Sequence, residues 1–245
     1  MPAPPPNRAL IDQLRAAFVQ HADPAQAGPM QAYMKSALPF FGVPAPLRRQ
    51  LQAAAVKAHP CADTATLGAT MQALWRGATH REERYAAVEL ARIGRHARLL
   101  DTSLLPIFET MIVEGAWWDL CDEISGNALP ALLQKDPATM KPLMRRWAVG
   151  DQLWLRRAAM LAQRRLKQQV DAVLLYDCIL PSLRGGAFAD EFFIRKGMGW
   201  ALRERSYQTP DEVQAFCTEY ADRLSPLTVR EALKAIQRRS PSQSS

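Results

Sequence analysis

The sequence predicts an all-α fold, a curved superhelical array of antiparallel helix pairs of the α-solenoid kind. Three observations carry this. No segment alternates apolar and polar residues between hairpin turns, as a sheet would require. The helix punctuation is explicit: Asp136-Pro137, Thr209-Pro210 and Ser225-Pro226 each put a capping side chain before a proline suited to the first helical position. The apolar periodicity breaks into many short segments with tight connections, the pattern of pairs that each bury one face on a neighbour. A compact all-α bundle is the alternative. The array is favoured because no predicted helix runs much beyond about 20 residues.

In chain order the spacing predicts helices over 7–21, 29–36, 46–58 and 64–76, the last stopped by Gly77. The next, 80–96, opens on a capping box of Thr79 with Glu82. Helices over 102–114 and 117–134 follow, the second kinked or split because Pro130 lies inside it. Asp136 opens 137–148 and Gly150 ends it; 152–168 and 171–183 come next, with Gly185-Gly186 as a stop. The last three are 188–206, 210–222 (with Thr209 and Glu212 as a second capping box) and 226–238. One helical-repeat domain is expected over 7–238, between disordered tails at 1–6 and 239–245.

Net charge is +7, and 24 of the 31 cations are arginine, the bidentate reader of phosphate and carboxylate. The charge is unevenly spread. Residues 141–167 hold eight cations and one acid, whereas 101–140 hold seven acids and one cation. That contrast reads either as internal pairing or as a site where an anionic polymer meets carboxylates. The apolar runs are too short for a membrane span, and MPAPPP at the start has no signal-peptide character, so a cytoplasmic protein is expected. Cys61, Cys121, Cys178 and Cys217 show no metal-ligand spacing and read as reduced, buried thiols.

Three segments carry candidate chemistry. In Trp117-Trp118-Asp119-Leu120-Cys121-Asp122, helical winding puts Trp117, Cys121, Ile124 and Ala128 on a core stripe. Trp118 and Asp122 then share a different face. A tryptophan face with a carboxylate one turn away suits a cation; the alternative is that Asp119 and Asp122 only complement the helix dipole. In Trp154–Gln168, Arg157 and Arg164 lie two turns apart, about 10–11 Å, a spacing that can track a phosphate backbone or simply face solvent. In the third segment Lys196, Trp200 and Arg203 share a face, so a tryptophan between two cations could lie along a sugar-phosphate strand, or be a buried core residue. Gly197 and Gly199, costly inside a helix, point to close helix approach or a ligand near the backbone.

Five segments taken together resemble the AlkD family of bacterial DNA alkylation repair glycosylases: AYMKSALPFFGVPAPLRRQ (32–50), WWDLCD (117–122), WLRRAAMLAQ (154–163), EFFIRKGMGWALRE (191–204) and SPLTVREALK (225–234). The resemblance implies HEAT-like repeats around a cationic cleft that holds duplex DNA. It implies hydrolysis of the N-glycosidic bond of N3- and N7-alkylated purines without flipping the base into a pocket. By motif position Asp122 matches the catalytic carboxylate, Trp118 and Trp200 the cleft tryptophans, and Arg157 the cleft arginine. Arg157 would then clamp a phosphate, with Arg48, Arg49, Arg164 and Lys196 as further backbone contacts. The chemistry requires no metal or organic cofactor, and a monomer acting on alkylated duplex DNA is expected. Two departures stand out: Leu120-Cys121 where the family motif is small and polar, and an insertion-like Gly185-Gly186-Ala187 before the fourth segment. The rival readings are a non-catalytic DNA-binding repeat protein and a protein-binding scaffold.

Overall fold

The computed structural model describes residues 4–239, and every regular element among them is helical. The class is the expected one, short helices packed on helices as in an α-solenoid. The parts of the expected tails at 1–3 and 240–245 lie outside the described residues. Contacts group the chain into two compact units, the first ending at Met111 and the second beginning at Ile112.

The first unit holds α1 (Arg8–Gln20), α2 (Pro24–Met34), α3 (Ala45–Ala58), α4 (Thr64–Arg76) and α5 (Arg81–Glu89). Asn7 starts α1 by accepting from the Leu10 amide at 3.1 Å. The helix buries Leu10, Ile11, Leu14 and Phe18 along one stripe. It packs on α3 and α4. α2 begins five residues before the expected 29–36. Asp23-Pro24 supplies the same cap-plus-proline signal found elsewhere, and Pro29 is tolerated in the interior. The expected 80–96 stops at Glu89 and continues as 3₁₀ turns. The expected capping box is shifted by one residue. Glu83, not Glu82, accepts from the His80 and Thr79 amides. Glu82 is fully buried and instead accepts from the amides of Phe41, Gly42 and Val43, holding that turn against α5.

The second unit includes α7 (Trp118–Glu123), α8 (Leu129–Lys135), α9 (Pro137–Val149), α10 (Leu153–Leu161), α11 (Ala172–Ile179), α12 (Phe192–Ser206), α13 (Pro210–Glu219) and α14 (Pro226–Arg239); α6 (Leu105–Gly115) precedes α7. The expected 117–134 does split. A π-helical turn over Ile124–Ala128 separates α7 from α8, which carries Pro130 in its first turn, where a missing N–H is cheap. Asp136 and Ser225 cap as expected, accepting from the Thr139 and Thr228 amides. Thr209 makes no side-chain cap; its hydroxyl donates to the Arg205 carbonyl at 3.4 Å, and Glu212 binds Arg205 and the Tyr176 hydroxyl. The expected 152–168 ends at Leu161, and 188–206 begins only at Phe192.

α10 packs on α9 and α12, and α12 on α14. Met160, Leu161, Ile194, Met198, Leu202 and Phe216 fill the space between these helices. Gly199 allows the α12–α14 approach, since a Cβ there would sit 2.6 Å from the Glu231 Cβ and 2.8 Å from the Thr228 carbonyl oxygen. Gly199→Ala is therefore expected to destabilise the protein. The helix-propensity gain of about 1 kcal/mol is outweighed by an overpacking cost of about 1–3 kcal/mol against backbone. A melting temperature at or above that of the wild type would refute this packing.

Candidate active site

The site is built from α7, α10 and α12, all within the second unit. Trp117 precedes α7 in extended conformation, so Trp118 takes the first helical position and Asp122 follows one turn on. Trp117 is therefore not wound into the helix as expected. Trp117 packs into an aromatic cluster, with its ring 5.3 Å from Phe193 and 6.3 Å from Trp154. Trp118 stays half-buried on the Asp122 side of the winding. Leu120 and Cys121 are buried in the core. Burial pushes the Cys121 thiol well above its ordinary pKa, and it donates to the Trp154 carbonyl at 3.3 Å. The Leu120-Cys121 departure is thus a packing feature.

Asp122 and Arg157 form a two-point ion pair. Nε donates to one carboxylate oxygen at 2.8 Å and Nη2 to the other at 2.7 Å. The third guanidinium nitrogen, Nη1, donates to the Phe193 carbonyl at 2.5 Å. The Arg157 side chain is 3% exposed and that of Asp122 10%, so solvent reaches the carboxylate edge and not the guanidinium. This departs from the expected phosphate clamp: each Arg157 nitrogen is hydrogen-bonded inside the protein, where the side chain holds Asp122.

Arg164 lies over the Trp200 ring, 4.0 Å from the centroid, and half-buried Trp200 also has Arg203 at 5.8 Å. Arg164 feels the charges of both Asp122 and Arg157; burial lowers its pKa, and Nη1 is buried with no hydrogen-bond partner. Room for the two arginines comes from glycines. A Cβ on Gly126, in the π-helical turn, would lie 2.6 Å from Arg164 Nη2, and one on Gly197 would lie 3.0 Å from Arg157 Nη1. The structure therefore brings Asp122, Arg157, Arg164 and Trp200 into one constellation. Gly126 and the Phe193 carbonyl were not singled out from sequence. A Ser-Gly pair in an otherwise apolar helix was the available signal for the first, and nothing in the sequence marked the second.

The other basic candidates are partly absorbed by internal pairs. Lys196 and Arg203 both bind Glu231, at 2.7 and 2.9 Å, which leaves Lys196 with 38% of its side chain exposed. Arg48 is corrected outright as a free backbone contact. It is buried, lies over the Tyr85 ring and donates to Glu89 at 2.7 Å. Arg49 is the exposed member, 3.6 Å from Glu89 with 53% of its side chain open. Within 141–167, Lys141 and Arg145 pair with Asp171 and Asp177, acids from beyond the window.

Helices stacked on helices, with a carboxylate braced by a buried arginine and a second arginine stacked on a half-buried tryptophan, define an all-α protein with a charged and aromatic candidate site. The chain belongs to the DNA alkylation repair enzyme family, whose model matches residues 14–236. It is similar to a solved structure from Enterococcus faecalis described as a predicted DNA alkylation repair enzyme. The two share 26% identity over 91% of this chain and 98% of that one, with a TM-score of 0.73. No curated protein matches the chain. Among the described residues no helix is long and apolar enough to cross a membrane.

Proposed function

We propose that this protein is a monofunctional DNA glycosylase that hydrolyses the N-glycosidic bond of N3- and N7-alkylated purines in duplex DNA. The observation that carries this is the Asp122 carboxylate, aimed by Arg157 and reachable at one edge, with Trp118 one turn before it and Trp200 beside Arg164. An alkylated purine is already cationic. When its C1′–N bond breaks, the electron pair leaves with the base, which departs neutral, and the sugar becomes oxocarbenium-like. A carboxylate near C1′ stabilises that charge and takes the proton of the water that adds there, which leaves an abasic site. Each Asp122 oxygen uses one lone pair on Arg157, so each keeps another for that water. Trp118 and Trp200 would lie against the deoxyribose. Arg49, Lys196 and Arg164 are the proposed phosphate contacts. The protein acts as a monomer, with no base-holding pocket and no cofactor.

One observation favours a second reading. Pairing with Arg157 offsets the Asp122 charge, as it would in a DNA-binding protein that lacks catalysis. A duplex carrying one 7-methylguanine separates the two. Liberated purine and alkali-labile strand scission are expected for the glycosylase. Salt-sensitive binding without release, with 3-methyladenine and bulkier N7 adducts also intact, would leave only the binder.

A further inference from the structure

The insertion-like stretch at 185–187 plays no part in the site above, but the residues on either side of it, Arg184 and Ala189-Asp190, line a shaped cavity. The loop after α11 turns back through Gly186, where a Cβ would meet the Pro181 carbonyl oxygen at 2.1 Å, so only glycine fits. Arg184 donates its amide to the Arg223 carbonyl at 3.0 Å, closing the loop onto the segment before α14. Phe188 sits at φ +60°, a region a bulky residue rarely adopts, with the Arg156 guanidinium 5.4 Å from its ring centroid.

The loop encloses a cavity of about 90 Å³ against α12 and the start of α14. That is room for a few waters or one tetrahedral oxyanion, with water taking about 30 Å³ in the liquid. Arg184, Arg195 and Arg223 line it, with Asp190 as the only carboxylate among the lining residues. The lining therefore carries a net charge of +2. Arg195 Nε is buried and has no hydrogen-bond partner, although buried guanidinium donors are normally satisfied. Ser182 also lines the cavity; its Oγ accepts from Arg156 Nη1 at 3.4 Å, leaving the hydroxyl proton to give. Three arginines in one lining, an excess of positive charge and one orphaned N–H match a phosphate group in charge, size and hydrogen-bonding sense.

We propose that this cavity is a binding site for a single phosphate group, separate from the Asp122 site. Arg195 lies two residues from Gly197 on α12, so by helical winding it stands on the opposite side of the helix from the face that meets Arg157. The group could be a phosphodiester of DNA or a free phosphate, and the test distinguishes them.

The full chain would be titrated with inorganic phosphate by calorimetry, and melted in phosphate and in chloride at matched ionic strength. Saturable binding and phosphate-specific stabilisation are expected for the wild type. Arg195→Gln should weaken phosphate affinity about tenfold, the effect of losing one charge-assisted hydrogen bond. Arg223→Gln, at an exposed residue whose loss should not disturb folding, should act in the same direction, and Arg146→Gln should have no effect. Binding of plain duplex DNA at several salt concentrations identifies the source. A salt slope reduced by about one in Arg195→Gln assigns the site to the DNA backbone. An unchanged slope, with phosphate binding lost, assigns it to a free phosphate. Absence of saturable phosphate binding by the wild type, or undiminished binding by both Arg195→Gln and Arg223→Gln, would overturn the proposal.

Discussion

Asp122→Asn is expected to lower base release from alkylated duplex DNA by at least about 100-fold while leaving affinity for plain duplex DNA nearly unchanged. The amide keeps the shape of the side chain but loses the charge that would stabilise the sugar cation and the basicity that would take the water proton. Losses of about 10²–10⁴-fold are typical when such a group is removed. Binding should persist because phosphate contacts dominate affinity, and a side chain that is 10% exposed adds little to them. The substitution also leaves the Arg157 charge buried without an anion, so the variant should melt lower than the wild type. Rates must be compared well below both melting temperatures. Asp119→Asn is the control: Asp119 is three residues earlier, in the first turn of α7, and release should stay close to the wild-type rate. Near-wild-type turnover by Asp122→Asn would remove the carboxylate from the mechanism.

The fold class was legible because the signals for it are local. Capping side chains before prolines at 137 and 226 work as the sequence implies, and the Asp136 and Ser225 caps are present. What failed was also local, and it failed where a tertiary partner outbid the neighbour. Glu82 is drawn to three amides of the 41–43 turn and leaves the capping box to Glu83. Glu212 is drawn to Arg205 and Tyr176, and the Thr209 hydroxyl turns back to the Arg205 carbonyl instead of capping. The expected 29–36 begins five residues late, although Asp23-Pro24 upstream carries a cap-plus-proline signal.

The site divides along the same line. That Trp118 and Asp122 share a face follows from helical winding alone, whereas Trp117, wound as helical in that reading, stands before the helix in extended backbone and packs on Phe193. The use of Arg157 could not be read that way. Whether an arginine faces a phosphate or a carboxylate depends on what packs opposite, and here Asp122, 35 residues away, takes it. The same applies to the stacking of Arg164 on Trp200. Window charge left internal pairing open without naming the partners, because the acids that pair with Lys141 and Arg145 lie beyond the window.

Replacing Arg157 is expected to be strongly destabilising. Arg157→Ala strands the Asp122 carboxylate, removes the donor to the Phe193 carbonyl and opens a void beside Gly197. Breaking a buried pair by removing one partner costs about 3–5 kcal/mol, a large share of the roughly 5–15 kcal/mol that holds a domain folded. Asp122→Ala should cost a similar amount, because it strands the guanidinium. The double variant should then cost clearly less than the two singles together, since neither charge is left alone. Urea denaturation of the four proteins measures that coupling, and strict additivity would show that the two groups do not depend on each other. The DNA readout follows from the same geometry. Arg157→Gln, assayed cold enough to stay folded, should keep the wild-type salt slope for plain duplex, because the Arg157 side chain is buried and held by Asp122 and the Phe193 carbonyl. Arg49→Ala, at an exposed side chain, should reduce the slope by about one. The reverse pattern, a flattened slope in Arg157→Gln and none in Arg49→Ala, would mean that Arg157 leaves Asp122 for a phosphate when DNA binds, and that the carboxylate is unbraced when the bond breaks.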